Sequence, residues 1–276
     1  MSSGSAPGVL RVFALRHAER EDHANPLWSS TAFRTHDSPL SLRGRAQASE
    51  VGDVLRARLP DDYIIYTSPL ARCVETMSLI VQALGGEERS GDVEGARVES
   101  GLAEDEDHLR PRMLGTHHSV GPEGLIAPDG TVRVPTIPVL LTAGDLVGHA
   151  RPARLNVAYR SGCTVQYNAE GFEVDGAGNR RADLTARVAE AMAAVCDGAR
   201  TSSETVLLVT HGGVLKELTN ILCAGSVDRE RPAAYVELVE LVRSSVEAPW
   251  RLVGDTTYVL PSLRGDLVGI ATRLKE

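Results

Sequence analysis

Thr205-Val206-Leu207-Leu208-Val209-Thr210-His211-Gly212-Gly213 is the stretch that decides the fold. Its first six residues are β-branched or apolar without a break, as in a strand covered on both faces of a parallel sheet. A histidine and two glycines end the run, and helix formers follow to about Leu222. The same grammar recurs outward from there. Val9 to Leu15 reads as a strand that ends in Arg16-His17-Ala18-Glu19-Arg20, and Asp62 to Tyr66 as another. Ser41 is a plausible N-cap for a helix to about Leu59, with Leu42, Ala46, Val51, Val54 and Leu55 as its apolar stripe. Ser68-Pro69, a cap followed by proline at the first helical position, opens a helix to about Leu84. A short extended piece at Arg97 to Glu99, a helix over Arg181 to Asp197, and late strands at Ala234 to Val242 and Arg251 to Tyr258 complete the list. Strands alternating with helices predict an α/β fold, a three-layer sandwich with a mostly parallel central sheet.

Two stretches break the pattern. Glu21 to Pro39 has no periodicity and is expected as a long loop. Residues 105–179 are rich in Gly, Pro, His and acidic residues, with one modest helical stretch near Val139 to Val147, and read as an insertion on the rim that shapes a substrate mouth. Residues 1–8 are Ser/Gly-rich and expected to be a flexible start, leaving 9–276 as a single domain.

Of the 276 residues, 29 are Lys or Arg and 37 Asp or Glu, a net charge of −8. That balance opposes any polyanion except at a locally positive site. With aromatics at 4%, nucleic-acid binding by base stacking has little to build on. The longest apolar runs are strand-sized, far short of the ~20 residues of a membrane-spanning helix. Arg11 interrupts the apolar region that a signal peptide would need. Cys73, Cys163, Cys196 and Cys223 are scattered and form no C-x-x-C pair, which predicts reduced thiols and a cytoplasmic setting.

The chemistry gathers at strand ends. In parallel sheets ligands sit beyond the carboxyl ends of the strands. Arg16-His17 follows one strand there, His211 follows another, and Arg72 lies in the first turn of the helix after Ser68. With Arg20, two histidines and three arginines face the mouth of one sheet. That combination calls for an anion.

Here the sequence resembles a family. Leu15-Arg16-His17-Ala18-Glu19-Arg20 is similar to the R-H-G-x-R signature of the histidine phosphatase (phosphoglycerate mutase-like) superfamily, with Ala18 where glycine is commoner. Asp37-Ser38-Pro39-Leu40-Ser41, Gly44 and Gln47-Ala48 are similar to its D-x-P-L-T-x-x-G-x-x-Q-A segment. Thr67-Ser68-Pro69-Leu70-Ala71-Arg72 through Thr76 resembles S-S-P-L-x-R-x-x-Q-T, and Val209-Thr210-His211-Gly212 resembles V-T-H-G. Arg72-Cys73-Val74-x-Thr76, Glu99-Ser100-Gly101-Leu102-Ala103-Glu104 and Trp28 point within it to the branch of ecdysteroid-phosphate phosphatase and the suppressor-of-T-cell-receptor-signalling proteins. Pro135 to Arg160 matches that branch loosely.

The resemblance implies a phosphomonoester hydrolase, a stand-alone catalytic domain acting on a small-molecule or phosphopeptide phosphomonoester, with no cofactor and no metal. His17 would be the nucleophile and carry the phosphoryl group as a phosphohistidine. A neutral imidazole is accessible near pH 7 because its ordinary pKa is ~6.5. Arg16, Arg20, Arg72 and His211 would bind the phosphate oxygens. Glu104 would be the general acid and then the base, with Glu99 a rival that motif position disfavours. A homodimer is suggested by the resemblance alone. Two alternatives stand beside this reading: phosphoglycerate mutase-type transfer, and a catalytically inactive binding module on the same fold. The mutases resemble R-H-G-x-S-x-W-N after the first strand, where this chain has Glu19-Arg20-Glu21-Asp22 and a longer loop. The decayed members typically lack a histidine or arginine that is present here.

Other patterns compete. Cys223 to Arg229 fits the C-x5-R of cysteine-dependent phosphatases, but Cys223 follows a helix instead of a strand. Glu104-Asp105-Glu106-Asp107-His108 and His117-His118 lack the spacing of helix-borne metal ligands. Trp28 is open between lining an apolar pocket and tacking its loop to the domain.

Overall fold

The structure is a computed structural model that describes residues 9–32, 34–85, 95–109, 155–168, 172–175, 177–181, 183–197, 205–224 and 233–253. Strands β1 (Arg11–Arg16), β2 (Ile64–Thr67), β3 (Arg97–Val98), β6 (Thr205–Thr210), β7 (Leu238–Val242) and β8 (Arg251–Leu252) form one sheet in the order β3-β2-β6-β1-β7-β8. β3, β2, β6 and β1 run parallel, whereas β7 and β8 add antiparallel at one side. A second, two-stranded sheet pairs β4 (Gln166–Tyr167) with β5 (Glu173–Val174). The fold is α/β with a mostly parallel central sheet, as the alternation of elements predicts.

Alternation along β1 explains the three layers. Phe13 and Leu15 join the cluster made with helices α3 (Leu42–Arg56) and α4 (Ala71–Ala83). Val12 and Ala14 point the other way, to helices α5 (Leu184–Asp197) and α6 (Gly212–Leu222). The six residues of β6 are all buried, which is why its run is continuous instead of alternating.

Three local expectations are corrected. Glu21 to Pro39 is not all loop: α1 (Glu21–Ala24) and α2 (Trp28–Thr31) form single turns there, too short to show a period. On α3, Ser41 caps as expected, its side chain accepting from the Gly44 N–H, but Leu42 and Ala46 of the expected stripe are exposed. The buried face carries Gly44, Gln47, Ala48, Val51, Gly52 and Leu55. Its first half is small and polar because it packs on backbone: Gln47 accepts a hydrogen bond from the Glu19 N–H at 3.0 Å. Finally, Ser68 does not cap α4, whose N-cap Leu70 offers no side-chain hydrogen bond. Asp37, arriving from the preceding loop, accepts from the Ala71 N–H at 2.7 Å instead.

Part of the stretch read as a rim insertion is built into the body. Leu155 bridges to Ala96, and Cys163 and Val165 are buried with Ala191 of α5. The expected helix near Val139 to Val147 lies outside the described residues, as do residues 1–8. No described helix is long and apolar enough to cross a membrane.

Candidate active site

Register builds the site. Arg16 pairs with Thr210 and Thr67 with Val209, so β1, β6 and β2 end level with one another. The residues that follow, His17, His211 and Ser68, therefore emerge side by side. The His17 N–H donates to the Thr210 carbonyl at 2.8 Å and the Ser68 N–H to that of Val209 at 3.0 Å.

His17 is fully buried. Its Nδ1 lies 2.7 Å from the Ala18 carbonyl oxygen. A carbonyl only accepts, so Nδ1 carries the proton and Nε2 keeps its lone pair. That Nε2 is buried without a hydrogen-bond partner among the described residues. Burial, then the charges of Arg72 and Arg16, then His211 push the imidazole well below its usual pKa. At neutral pH it is an uncharged base with one free nitrogen.

His211 stands at its edge, ring centroids 5.2 Å apart. Its Nδ1 faces Glu104 Oε2 at 3.4 Å and its Nε2 meets Ser68 Oγ at 2.8 Å. The carboxylate asks for a proton on Nδ1, which leaves Nε2 to accept from the serine hydroxyl. Burial brings this histidine down to about 4, against the pull of Glu104. Ser68, expected as a helix cap, thus orients a histidine.

Glu104 is buried between His211 and Arg72, whose Nη2 lies 3.4 Å from Oε2. Burial alone would raise its pKa; His211, Arg72 and His17 together outweigh burial and hold it well below the carboxylate range. The 3₁₀ turn Ser100–Leu102 presents it, tied to the sheet by the Thr210 hydroxyl donating to the Leu102 carbonyl at 2.8 Å. The rival Glu99 is occupied elsewhere. Its carboxylate accepts from the Gly101, Gly162 and Cys163 N–H groups and from the Tyr159 and Ser161 hydroxyls. It pins residues 159–163 to the core.

The arginines differ in how free they are. Arg16 donates through Nη1 to the Ala233 carbonyl at 2.6 Å, lies over the Tyr235 ring at 4.3 Å, and keeps a buried Nε without a hydrogen-bond partner among the described residues. Arg72 reaches the His36 carbonyl and Glu104 and likewise keeps Nε free of hydrogen bonds there. Arg20 is engaged in a two-pronged ion pair with Asp22 through Nε and Nη2. It stands near enough to Arg16 for the two charges to repel. The motif threonine Thr76 accepts from the Ala18 N–H at 3.1 Å and so clamps the loop that carries His17 onto α4.

His17, Glu104 and His211 place three ligand atoms within 4.8 Å of one another, a set that could hold a divalent cation. The field argues for the opposite charge: Arg16 and Arg72 both act on His17, and Arg72 also touches Glu104. Preorganised guanidinium groups with unspent N–H donors are an anion site. Cys223 gives no rival centre, since it caps the end of α6 and burial raises its thiol pKa. Arg229 and His117-His118 lie outside the described residues.

Comparison with known proteins shows what the chain is similar to. Residues 12–104 match the model of the histidine phosphatase superfamily (branch 1). Those residues are about a third of the chain, and over them it is similar to that superfamily. A curated relative from Salmonella arizonae, named "Probable phosphoglycerate mutase GpmB", is 28% identical over 166 residues, 57% of this chain and 74% of that protein. Among solved structures, the ecdysone phosphate phosphatase of Bombix mori, in complex with tungstate, superposes with a TM-score of 0.60 at 18% identity, covering 91% of this chain and 94% of the other. A phosphoglycerate mutase from Bacillus anthracis str. Sterne gives 0.50 at 15%, with coverage of 91% and 94%. At such identities these two show the shared histidine phosphatase fold.

Two residues of the site escape a motif reading, and a third stands in a motif with another role. Tyr235 stacks on Arg16 and lies 5.9 Å from the His17 ring, with only its place before a strand to signal it. Ser68 was visible but assigned to the helix. Arg187 is fully buried on α5 and donates to the Glu104 main-chain oxygen at 3.3 Å. Its signal was a charge set inside the apolar stripe of Leu184, Val188 and Ala191.

Proposed function

We propose that the protein is a phosphomonoester hydrolase that works through a phosphohistidine at His17, on a small-molecule or phosphopeptide substrate. The observation that carries this is the tautomer: Nδ1–H is committed to the Ala18 carbonyl, so Nε2 offers its lone pair inside a ring of guanidinium groups. His17 Nε2 attacks phosphorus and the bond to the ester oxygen breaks. Arg16, Arg72 and His211 take the non-bridging oxygens, while Arg20, paired with Asp22, adds its charge near Arg16. Glu104 gives its proton to the departing oxygen. Water then attacks the phosphohistidine, Glu104 takes the water's proton, and His17 leaves as the neutral base.

Glu104 needs a proton at the start, although Arg72 and His211 hold it ionised in the empty site. A phosphate dianion supplies the answer. It draws on the same positive charge and adds a negative one beside the carboxylate, both of which raise the Glu104 pKa. Substrate binding and protonation of the acid are thereby linked. Glu99, its oxygens filled by five donors, is unsuited to the role.

The names of the relatives favour a second reading, phosphoryl transfer between the hydroxyls of a phosphoglycerate. The test is a panel of phosphomonoesters run beside 3- and 2-phosphoglycerate, with His17→Ala and Glu104→Gln. Hydrolysis that vanishes in His17→Ala, and an acid-labile phosphoenzyme in the parent, are expected. Glu104→Gln should cost an alkyl phosphate roughly 10²–10⁴-fold and a nitrophenyl phosphate much less. Interconversion of phosphoglycerates faster than any hydrolysis would favour the mutase, and no turnover at all would favour the inactive binding module.

A further inference from the structure

Glu104 is held from two directions. Its carboxylate meets Arg72 and His211, residues of the motifs. Its main-chain carbonyl is gripped by groups far outside residues 12–104, the range of the family match. The Tyr167 hydroxyl donates to that oxygen at 3.2 Å and Arg187 Nη2 at 3.3 Å. The two donors are themselves coupled. Tyr167 of β4 pairs directly with Glu173 of β5, and residues opposite one another in a ladder share a face. Glu173 closes the ring by its ion pair with Arg187, Oε1 to Nε at 3.4 Å, both side chains buried. Glu106, two residues past Glu104, accepts from the Glu173 N–H at 2.5 Å and pairs with Arg180 at 3.5 Å.

A buried ion pair is a costly way to pin a hairpin, since an apolar contact of equal volume is often as stable or more so. What an arginine adds is direction. Its Nη2 holds one carbonyl while Nε faces Glu173, and with that carbonyl goes the peptide from which the Glu104 side chain springs.

We infer that Tyr167 and Arg187, locked together by Glu173, are positioning residues that set the Glu104 carboxyl against the leaving-group oxygen. The inference rests on Glu104 being the acid. A carboxyl that drifts loses proton transfer while the arginines still bind phosphate. The signature is therefore a fall in kcat that depends on the leaving group, with KM unchanged.

Arg187→Met would strand the Glu173 carboxylate and is the variant at risk of misfolding, so Tyr167→Phe carries the test. Loss of one hydrogen bond should lower kcat on an alkyl phosphate roughly 3- to 10-fold and on 4-nitrophenyl phosphate less than about 2-fold. Arg187→Lys should fall between the parent and Arg187→Met. In a Glu104→Gln background, Tyr167→Phe should no longer change the alkyl-to-aryl ratio. Equal losses on the two substrates, a change in KM alone, or an unchanged kcat in Tyr167→Phe would overturn the inference. Glu104→Gln alone separates the two layers. If it fails to discriminate between the substrates, the assignment of the acid is wrong; if it discriminates and Tyr167→Phe does not, only the positioning role falls.

Discussion

Replacing Gly44 by alanine is a one-methyl change that should be felt at His17, the proposed nucleophile. Gly44 lies in the first turn of α3, and a Cβ built there would fall 2.1 Å from the Glu19 carbonyl oxygen and 3.0 Å from the Glu19 nitrogen. Reaching even the shortest tolerated contact needs about 1 Å of retreat. The neighbour is main chain and cannot swing away. Nor is the helix free: the Ser41 N–H donates to that same oxygen, and Gln47 holds the Glu19 N–H. Either α3 backs out of its seat or the loop 17–20 moves, taking His17 and Arg20 with it. Overpacking of this kind costs ~1–3 kcal/mol, or a fall in Tm of roughly 2–9 °C in a domain of this size. A shift of about 1 Å near a reacting centre can remove 10²-fold in rate. Thermal unfolding and kcat/KM on an aryl phosphate should therefore fall together, and Gly44→Ser should do no better. If Gly44→Ala keeps both the parental Tm and the parental rate, the packing of α3 on the nucleophile loop is not what sets that loop.

Asp37→Ala should destabilise by about 1–3 kcal/mol, because it removes the acceptor of the Ala71 N–H and the partner of Arg34; Asp37→Asn keeps the cap and should lose less in chemical denaturation. Stability should fall as pH drops below 6.5, since His17 and His211 are neutral in the fold and take up protons on unfolding. The unfolded state then binds more protons, so each contributes up to ~1.4 kcal/mol per pH unit until its own depressed pKa is reached, about 4 for His211; a flat Tm between pH 7 and 5 would contradict buried neutral imidazoles. Chelator should leave hydrolysis unchanged, because guanidinium groups supply the charge at the site; activity lost to chelator and restored by a divalent ion would refute that.

How far the sequence could be read follows from what each residue contacts. The strands were legible because burial on both faces writes itself as an unbroken apolar run, as in Thr205 to Thr210. Their order was not: β6 lies between β2 and β1, a pairing over more than a hundred residues that no local pattern encodes. The face of α3 was misread where it meets backbone, since glycine and glutamine do that packing and neither counts as apolar. The single turns α1 and α2 are shorter than any period that could announce them. Ser68-Pro69 is a sound helix-start signal, yet the hydroxyl serves His211 and a distant aspartate takes its place. A tertiary contact outbid the local one.

The same logic separates the two halves of the candidate site. The residues assigned here to the phosphate sit in motifs close to strand ends: Arg16 ends β1, His17 and His211 follow β1 and β6, and Arg72 lies in the first turn of α4 after β2, so the family resemblance could find them. Residues that hold those in place answer to shape and come from wherever the chain passes. Tyr235 under Arg16 comes from the segment that leads into β7, and Arg187 reaches the Glu104 carbonyl from 83 positions away. A tyrosine or an arginine at such a place has no motif to betray it. Yet the charge on an otherwise apolar helical stripe was a sign in plain view. An arginine that escapes solvent must have found a partner worth its desolvation, and Glu173 together with the carbonyl of the acid is that partner. Buried charge in a sequence therefore marks where a fold has spent stability on placing something, which here is the carboxyl of Glu104 that we propose as the acid.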